Sequence, residues 1–249
     1  MRCIQTRVLA TAIGFSFWAI LVPRIPTALA DAPHAGAATQ PAAGVAPDEA
    51  MKRLREGNER FVQQMATNGH RDATRREELV RGQHPFAVVL GCADSRVPPE
   101  VIFDQGLGDL FVIRVAGEVA PAEVIGSIEY AVEHLNCQTI IVLGHERCGA
   151  VEAALASANG GAAPEGNLGE LIKDITPVIE TIDRKSPDAL DAAVRANAVA
   201  VARTLVARSK MLGELAQKGE IVITPARYDL DSGKVEFMEQ ARPVTHGGH

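Results

Sequence analysis

The chain is poor in aromatic side chains, at 4% with one Trp and two Tyr. That is too few to build a platform on which nucleic-acid bases stack. It also lacks a basic block: 25 Lys and Arg are spread among 31 acidic residues, for a formal charge of −6. A nucleic-acid binder needs a basic stripe to displace counterions from phosphates, so that class is excluded. Cysteine is scarce, with only Cys3, Cys92, Cys137 and Cys148, so a dense disulfide framework is excluded as well. What is present is ordinary for one globular domain. The 249 residues, 47% apolar and 22% charged, suffice for one sizeable core.

The ends of the chain differ from its body. Arg2 and Arg7 precede an apolar run from Val8 to Val22, and Ala28-Leu29-Ala30 follows with small residues. This layout is that of a secretory signal peptide over residues 1–30. The other reading is an uncleaved membrane anchor, but the run is shorter than the roughly 20 apolar residues a spanning helix needs. Cleavage removes three arginines and no acid, taking the charge from −6 to −9. It also leaves three cysteines, and thiols that survive an oxidising compartment need burial or a metal. The expected location is periplasmic, with no membrane span after cleavage. Residues 31–46, rich in Ala, Pro and Gly, read as a flexible linker. Residues 242–249 read as a disordered tail, leaving 47–241 as the one folded domain.

Within that domain the pattern opens helically, with Met51, Leu54, Phe61 and Val62 near helical spacing, and a second polar helix over Asp72–Arg81. Short apolar runs follow at 86–90, 110–113, 139–143 and 221–223, each expected to be a buried strand. Helices are expected at 122–135, 150–158, 168–182 and 188–212, with Gly219 ending the helical part. A hairpin is expected from Tyr228–Asp231 and Lys234–Met238 around Ser232-Gly233. The fold class is therefore α/β: a central, mostly parallel β-sheet flanked by helices, with N-terminal helices and a C-terminal hairpin.

Ligands of such sheets bind beyond the carboxyl ends of the strands. Two clusters fall there: Gly91-Cys92-Ala93-Asp94-Ser95-Arg96 and Gly144-His145-Glu146-Arg147-Cys148-Gly149. Cys92, His145 and Cys148 could converge as three zinc ligands, leaving the fourth tetrahedral position open as catalytic sites do. Alternatives are buried apolar cysteines or a Cys92–Cys148 disulfide. Cys137 has no polar cluster and reads as a buried free thiol. Zinc with two thiolates and a neutral imidazole is a formally neutral centre, so it polarises water weakly and needs a helper. Asp94 can reach the open position, and Arg96 can hold Asp94 ionised by bidentate pairing. The plain alternative for that pair is an exposed ion pair worth little.

Cys-Ala-Asp-Ser-Arg followed by Gly-His-x-x-Cys-Gly resembles the β-class carbonic anhydrases. Gly57-Asn58-x-x-Phe61, Asp104-Gln105-Gly106-x-Gly108-Asp109, Gly126-Ser127-Ile128-Glu129-Tyr130 and Tyr228-Asp229-Leu230 extend the likeness from Glu49 to Glu239. The resemblance implies one Zn2+ per chain on Cys92, His145 and Cys148, hydroxide in the fourth place, and Asp94–Arg96 as the catalytic dyad. It implies reversible hydration of carbon dioxide to bicarbonate. It also implies Gln83, Phe111 and Tyr130 as pocket residues, although the residues alone favour plain core packing for the two aromatics. The Gly149 N–H would face the substrate oxygen. The implied assembly is a homodimer or a higher even oligomer with a pocket shared between subunits.

In a closed form of the family, Asp94 would itself become the fourth ligand, coupled to bicarbonate beside a tryptophan. Val89 stands at that tryptophan's place, so the open type is expected. Glu118 stands where the family commonly has Asn, which implies altered hydrogen bonding near the pocket. Thr224-Pro225-Ala226-Arg227 replaces a glycine-containing stretch and is expected to alter only the hairpin. The same site could instead hydrolyse carbon disulfide or carbonyl sulfide, or hold zinc as a non-catalytic binding module. Metal scavenging by His246 and His249 is a further reading, against a plain flexible tail.

Overall fold

The computed structural model describes residues 44–240. The expected signal peptide, most of the linker and the C-terminal tail, with His246 and His249, lie outside the described residues. Among the described residues, no helix is long and apolar enough to cross a membrane.

Helix α1 (Pro47–Val62) starts with Pro in its first turn and acids Asp48 and Glu49 beside the positive end of its dipole. Its buried face carries Ala50, Leu54, Gly57 and Asn58. Gly57 is needed because a Cβ there would sit 1.8 Å from Phe103 O. Helix α2 (Ala73–Leu79) is capped by Asp72, whose side chain accepts from the Arg75 N–H at 2.8 Å.

Strands β1 (Ala87–Gly91), β2 (Leu110–Arg114), β3 (Thr139–His145) and β4 (Val222–Tyr228) are mutually parallel, and β5 (Val235–Phe237) pairs antiparallel with β4. The order across the sheet is β2-β1-β3-β4-β5. Side chains alternate between faces, so both sides of β1 and β3 are covered. Val89, Ile141 and Leu143 enter one core, while Val88, Leu90, Ile140 and Val142 enter the other. Each such burial contributes about 1.5–3 kcal/mol. Short helix α3 (Pro99–Ile102), α5 (Gly149–Ala158) and α6 (Gly166–Ile179) bury their apolar residues in the first core. Helix α4 (Ala122–Leu135) and α8 (Lys210–Lys218) pack on the second. Helix α7 (Ala189–Arg208) gives Ala193 and Val194 to the first core and Ala198, Val201 and Leu205 to the second.

Three expectations are corrected. The single helix over 188–212 is two, because Ser209 leaves helical geometry (φ −105°, ψ 111°) and caps α8 by accepting from the Leu212 N–H. The strand at 221–223 continues to Tyr228 and is itself the first arm of the hairpin, with residues 229–234 as the turn. Thr224–Arg227 therefore lies in the sheet opposite Ile141–Gly144, rather than altering only the hairpin.

The topology fixes where a site can form. The chain leaves β1 toward β2 and leaves β3 toward β4, in opposite directions. The carboxyl ends of β1 and β3 thus flank the switch-point crevice.

Candidate metal centre

Cys92 follows Gly91 at the end of β1, His145 is the last residue of β3, and Cys148 is the N-cap of α5. Because Gly91 pairs with Leu143, the two segments leave the sheet side by side. Their ligand atoms, two sulfurs and an imidazole nitrogen, all lie within 4.8 Å of one another, and all three residues are buried. All three described cysteines are free thiols, which removes the Cys92–Cys148 disulfide.

The His145 side chain is 0% exposed and its Nδ1 lies 2.9 Å from Glu146 O. Donation by Nδ1–H to that carbonyl leaves Nε2 as the acceptor, and Nε2 is buried with no hydrogen-bond partner among the described residues. An unpaired buried nitrogen costs about 1–3 kcal/mol, and a ligand ion would remove that cost. The donor set suits zinc over magnesium or calcium. Cys92 Sγ accepts from the Asp94 and Gly117 N–H groups, each at 3.4 Å. Its neighbour Cys148 holds Cys92 below the usual thiol range against burial, helped by His145 and those two amides. The same contact, with burial, pushes Cys148 up. Burial opposes charge on His145, and the Cys92 thiolate outweighs it, raising the imidazole's basicity.

Asp94 and Arg96 meet fork on fork, with Arg96 Nε 2.9 Å from Oδ1 and Nη2 2.6 Å from Oδ2. The Arg96 hydrogen bonds hold the Asp94 carboxyl well below the usual range, against burial. Asp94 Oδ2 lies 3.9 Å from His145 Nε2, close to the ligand cluster while bound to its arginine. Arg96 Nη2 also donates to Arg147 O at 3.4 Å, which ties the two ligand loops together.

The remaining expected residues divide. Gly149 opens α5, so its N–H is among the unpaired donors of a helix start, and a Cβ there would meet no atom within 4 Å. Gln83 is exposed in the segment leading into β1, at the amino end of the sheet. Phe111 sits beside Val88, three residues before the end of β1, and is half-buried. Its ring is 6.3 Å from that of Tyr130, which is 48% exposed. A single chain therefore gathers Cys92, His145, Cys148, Asp94, Arg96 and Gly149 at one end of the sheet and leaves Gln83 at the other.

Several contributors escaped the sequence reading. Arg114, at the end of β2, donates from Nε to Cys92 O at 3.0 Å and from Nη2 to Asp94 O, pinning the first ligand loop. Glu146 anchors the second loop: its N–H donates to Tyr228 O and its carboxylate accepts from the Leu230 N–H. Asn197 in α7 donates to Gly117 O and to Glu118 Oε1, both at 2.9 Å. Glu118, visible in the sequence only as a departure, is fully buried. Burial pushes its carboxyl up to about 8, opposed by the Asn197 hydrogen bond and reinforced by Cys92.

Fold and site together define an α/β scaffold with a Cys-His-Cys centre at its switch point. The family model described as carbonic anhydrase matches residues 87–235. Carbonic anhydrase 2 of Mycobacterium tuberculosis is 43% identical over 193 residues, covering 78% of this chain and 93% of that protein. The carbonic anhydrase of Mycolicibacterium smegmatis is 39% identical over 191 residues, covering 77% and 93%. Among solved structures, a Coccomyxa β-carbonic anhydrase in complex with acetazolamide superposes with a TM-score of 0.59 at 26% identity, covering 77% of this chain and 87% of that one. The chain belongs to the carbonic anhydrase family of enzymes, in its β class.

Proposed function

We propose that this protein hydrates carbon dioxide reversibly to bicarbonate and a proton, at one zinc ion held by Cys92, His145 and Cys148. The observation that carries the reading is the buried, unpartnered His145 Nε2, gathered with two sulfurs and 3.9 Å from the Asp94 carboxylate. The names of the two mycobacterial relatives support the same activity. Zinc in that donor set supplies Lewis acidity, bringing the ionisation of water toward neutral pH.

The chain's own residues do the rest. Asp94, kept ionised, accepts a hydrogen bond from the attacking water and points its lone pair at the substrate carbon. Arg96 keeps Asp94 in that role and out of the ligand set. The Gly149 N–H, at the positive end of α5, faces the substrate oxygen that gains charge. Carbon dioxide needs no charged group to bind, and beside Gly149 the space is open.

The bidentate Asp94–Arg96 pair and the buried Val89 in β1 support the open type. The half-buried Phe111 of edge strand β2, with the exposed Tyr130 of α4 packed beside it, supports an even oligomer. The N-terminal pattern supports export to the periplasm with cleavage after Ala30, which N-terminal sequencing of the mature protein checks.

The deciding experiment measures zinc content and stopped-flow hydration for wild type and Asp94→Ala, with carbon disulfide assayed in parallel. One zinc per chain in both, with carbon dioxide activity only in wild type, is expected. Zinc-loaded wild type without carbon dioxide activity overturns the reading.

A further inference from the structure

The turn Ala116–Glu118 meets the centre without supplying a ligand. Its Gly117 N–H lies 3.4 Å from Cys92 Sγ. This turn does not hold its shape by local preference. Gly117 and the non-glycine Glu118 have φ of 69° and 40°, in the left-handed region, where a residue with a Cβ is strained by about 1–2 kcal/mol. Something must hold it there.

The holder comes from far along the chain. Asn197 is 1% exposed in the middle of α7, beside the apolar Val194, Ala198 and Val201. A buried amide on an apolar face is costly unless its protons find acceptors. The Asn197 Nδ2 donates to Gly117 O and to Glu118 Oε1, both in the turn. The turn is also fenced sterically: a Cβ on Gly117 would sit 2.7 Å from Ile175 Cδ1. Its backbone has little room to move while Asn197 is in place.

We propose that Asn197 is a positioning residue of the metal centre: by clamping the 116–118 turn it keeps the Gly117 N–H on Cys92 Sγ. That hydrogen bond limits how much charge Cys92 donates. The inference rests on Cys92 being a metal ligand. Two thiolates and a neutral imidazole already make a neutral centre. A thiolate freed of one N–H donates more strongly and leaves the metal a weaker Lewis acid. Partners of this kind, one step removed from a metal, change affinity or activity about 10–100-fold when lost.

The test uses Asn197→Leu, which keeps volume but removes both donors, and Asn197→Ser, which is smaller and keeps one. Each is prepared with zinc and with Co2+ in its place. A thiolate relieved of a hydrogen bond gives up an electron more easily. The thiolate-to-Co2+ charge-transfer band therefore moves to lower energy in Asn197→Leu, and by less in Asn197→Ser. The pH midpoint of kcat/KM moves up, and kcat/KM at neutral pH falls about 10-fold. Asn197→Ser carries the test if Asn197→Leu does not fold. An unmoved band and pH midpoint in a folded variant, even one with a lower Tm, overturn the proposal and leave Asn197 a structural amide. A wild type whose Co2+ form shows no thiolate band overturns the ligand assignment itself, and the proposal with it.

Discussion

At the scale of single residues, the contest is over what Asp94 does with its charge. Two forces act on it: the ligand cluster 3.9 Å away and the Arg96 fork at 2.6 and 2.9 Å. The fork makes several hydrogen bonds at once, so it wins, and the carboxyl stays ionised far into acid. Asp94→Asn keeps the shape and loses the charge. It should retain one zinc per chain and lose about 100-fold or more in kcat/KM, the usual scale for removing a proton-accepting group. Arg96→Lys keeps the charge but not the planar fork, so its loss should be smaller and joined by new sensitivity to bicarbonate. With the wild-type fork intact, activity should not fall cooperatively below neutrality. A steep bicarbonate-dependent fall in a pH–rate series would show that Asp94 leaves Arg96, contrary to the open type.

At the scale of elements, the joints depend on single polar groups. Asp104 ends α3's turn with φ 46° and accepts from Arg60 Nε at 2.7 Å, from the Thr67 N–H and Oγ1, and from the Asn68 N–H. It fastens the segment after α1 to the sheet layer. Burial pushes its carboxyl up, but those four donors win and bring it to about 2. The folded chain therefore gives up this proton more readily than the unfolded chain. Asp104's contribution is complete above the ordinary carboxylate range and disappears as pH falls through about 2. Asp104→Asn should cost about 2 kcal/mol at pH 7, and the gap to wild type should close in denaturant titrations near pH 2. Ser209 is the second joint: its Oγ caps α8 and donates to Glu129 Oε1 in α4 at 2.5 Å. Ser209→Ala should cost about 1–2 kcal/mol.

These joints also mark what the sequence could and could not disclose. β1 and β3 were legible because helices cover both faces, so their residues form unbroken apolar runs. Cys92, His145 and Cys148 were legible because the centre is built from residues just past strand ends. The break at Ser209 was not, since a serine inside a helical pattern reads as helix until Glu129 is seen beside it. β4 read as three residues because Pro225, which cannot donate to a ladder, and the charged Arg227 interrupt the apolar run. Pairing with β3 holds them in the sheet, and Arg227 is buried against Asp191 and Asp229. Asn197 and Arg114 gave no local signal at all: their partners lie on distant segments.

At the scale of the whole molecule, one chain holds Gln83 apart from the residues it would join in the pocket that the family resemblance implies. The ligands and the dyad stand at the carboxyl end of the sheet, while Gln83 precedes β1 at the other end. Among the described residues β2 is an edge strand with one unpaired side, and its Phe111 forms a chain of rings with Tyr130 and His134 of α4. An uncovered strand edge with large apolar groups invites pairing or aggregation, and stable proteins cover such edges. A second copy of this chain on that edge would hide the rings and could bring its own Gln83 toward the first copy's Cys92. Tyr130→Arg places a charge among those rings without touching the ligands. Sedimentation should then show a smaller species than the wild type, with zinc retained and hydration activity lost in step with the dissociated fraction. Full activity in a dissociated, zinc-loaded Tyr130→Arg would mean that each chain's pocket is complete by itself, with Gln83 playing no part in it.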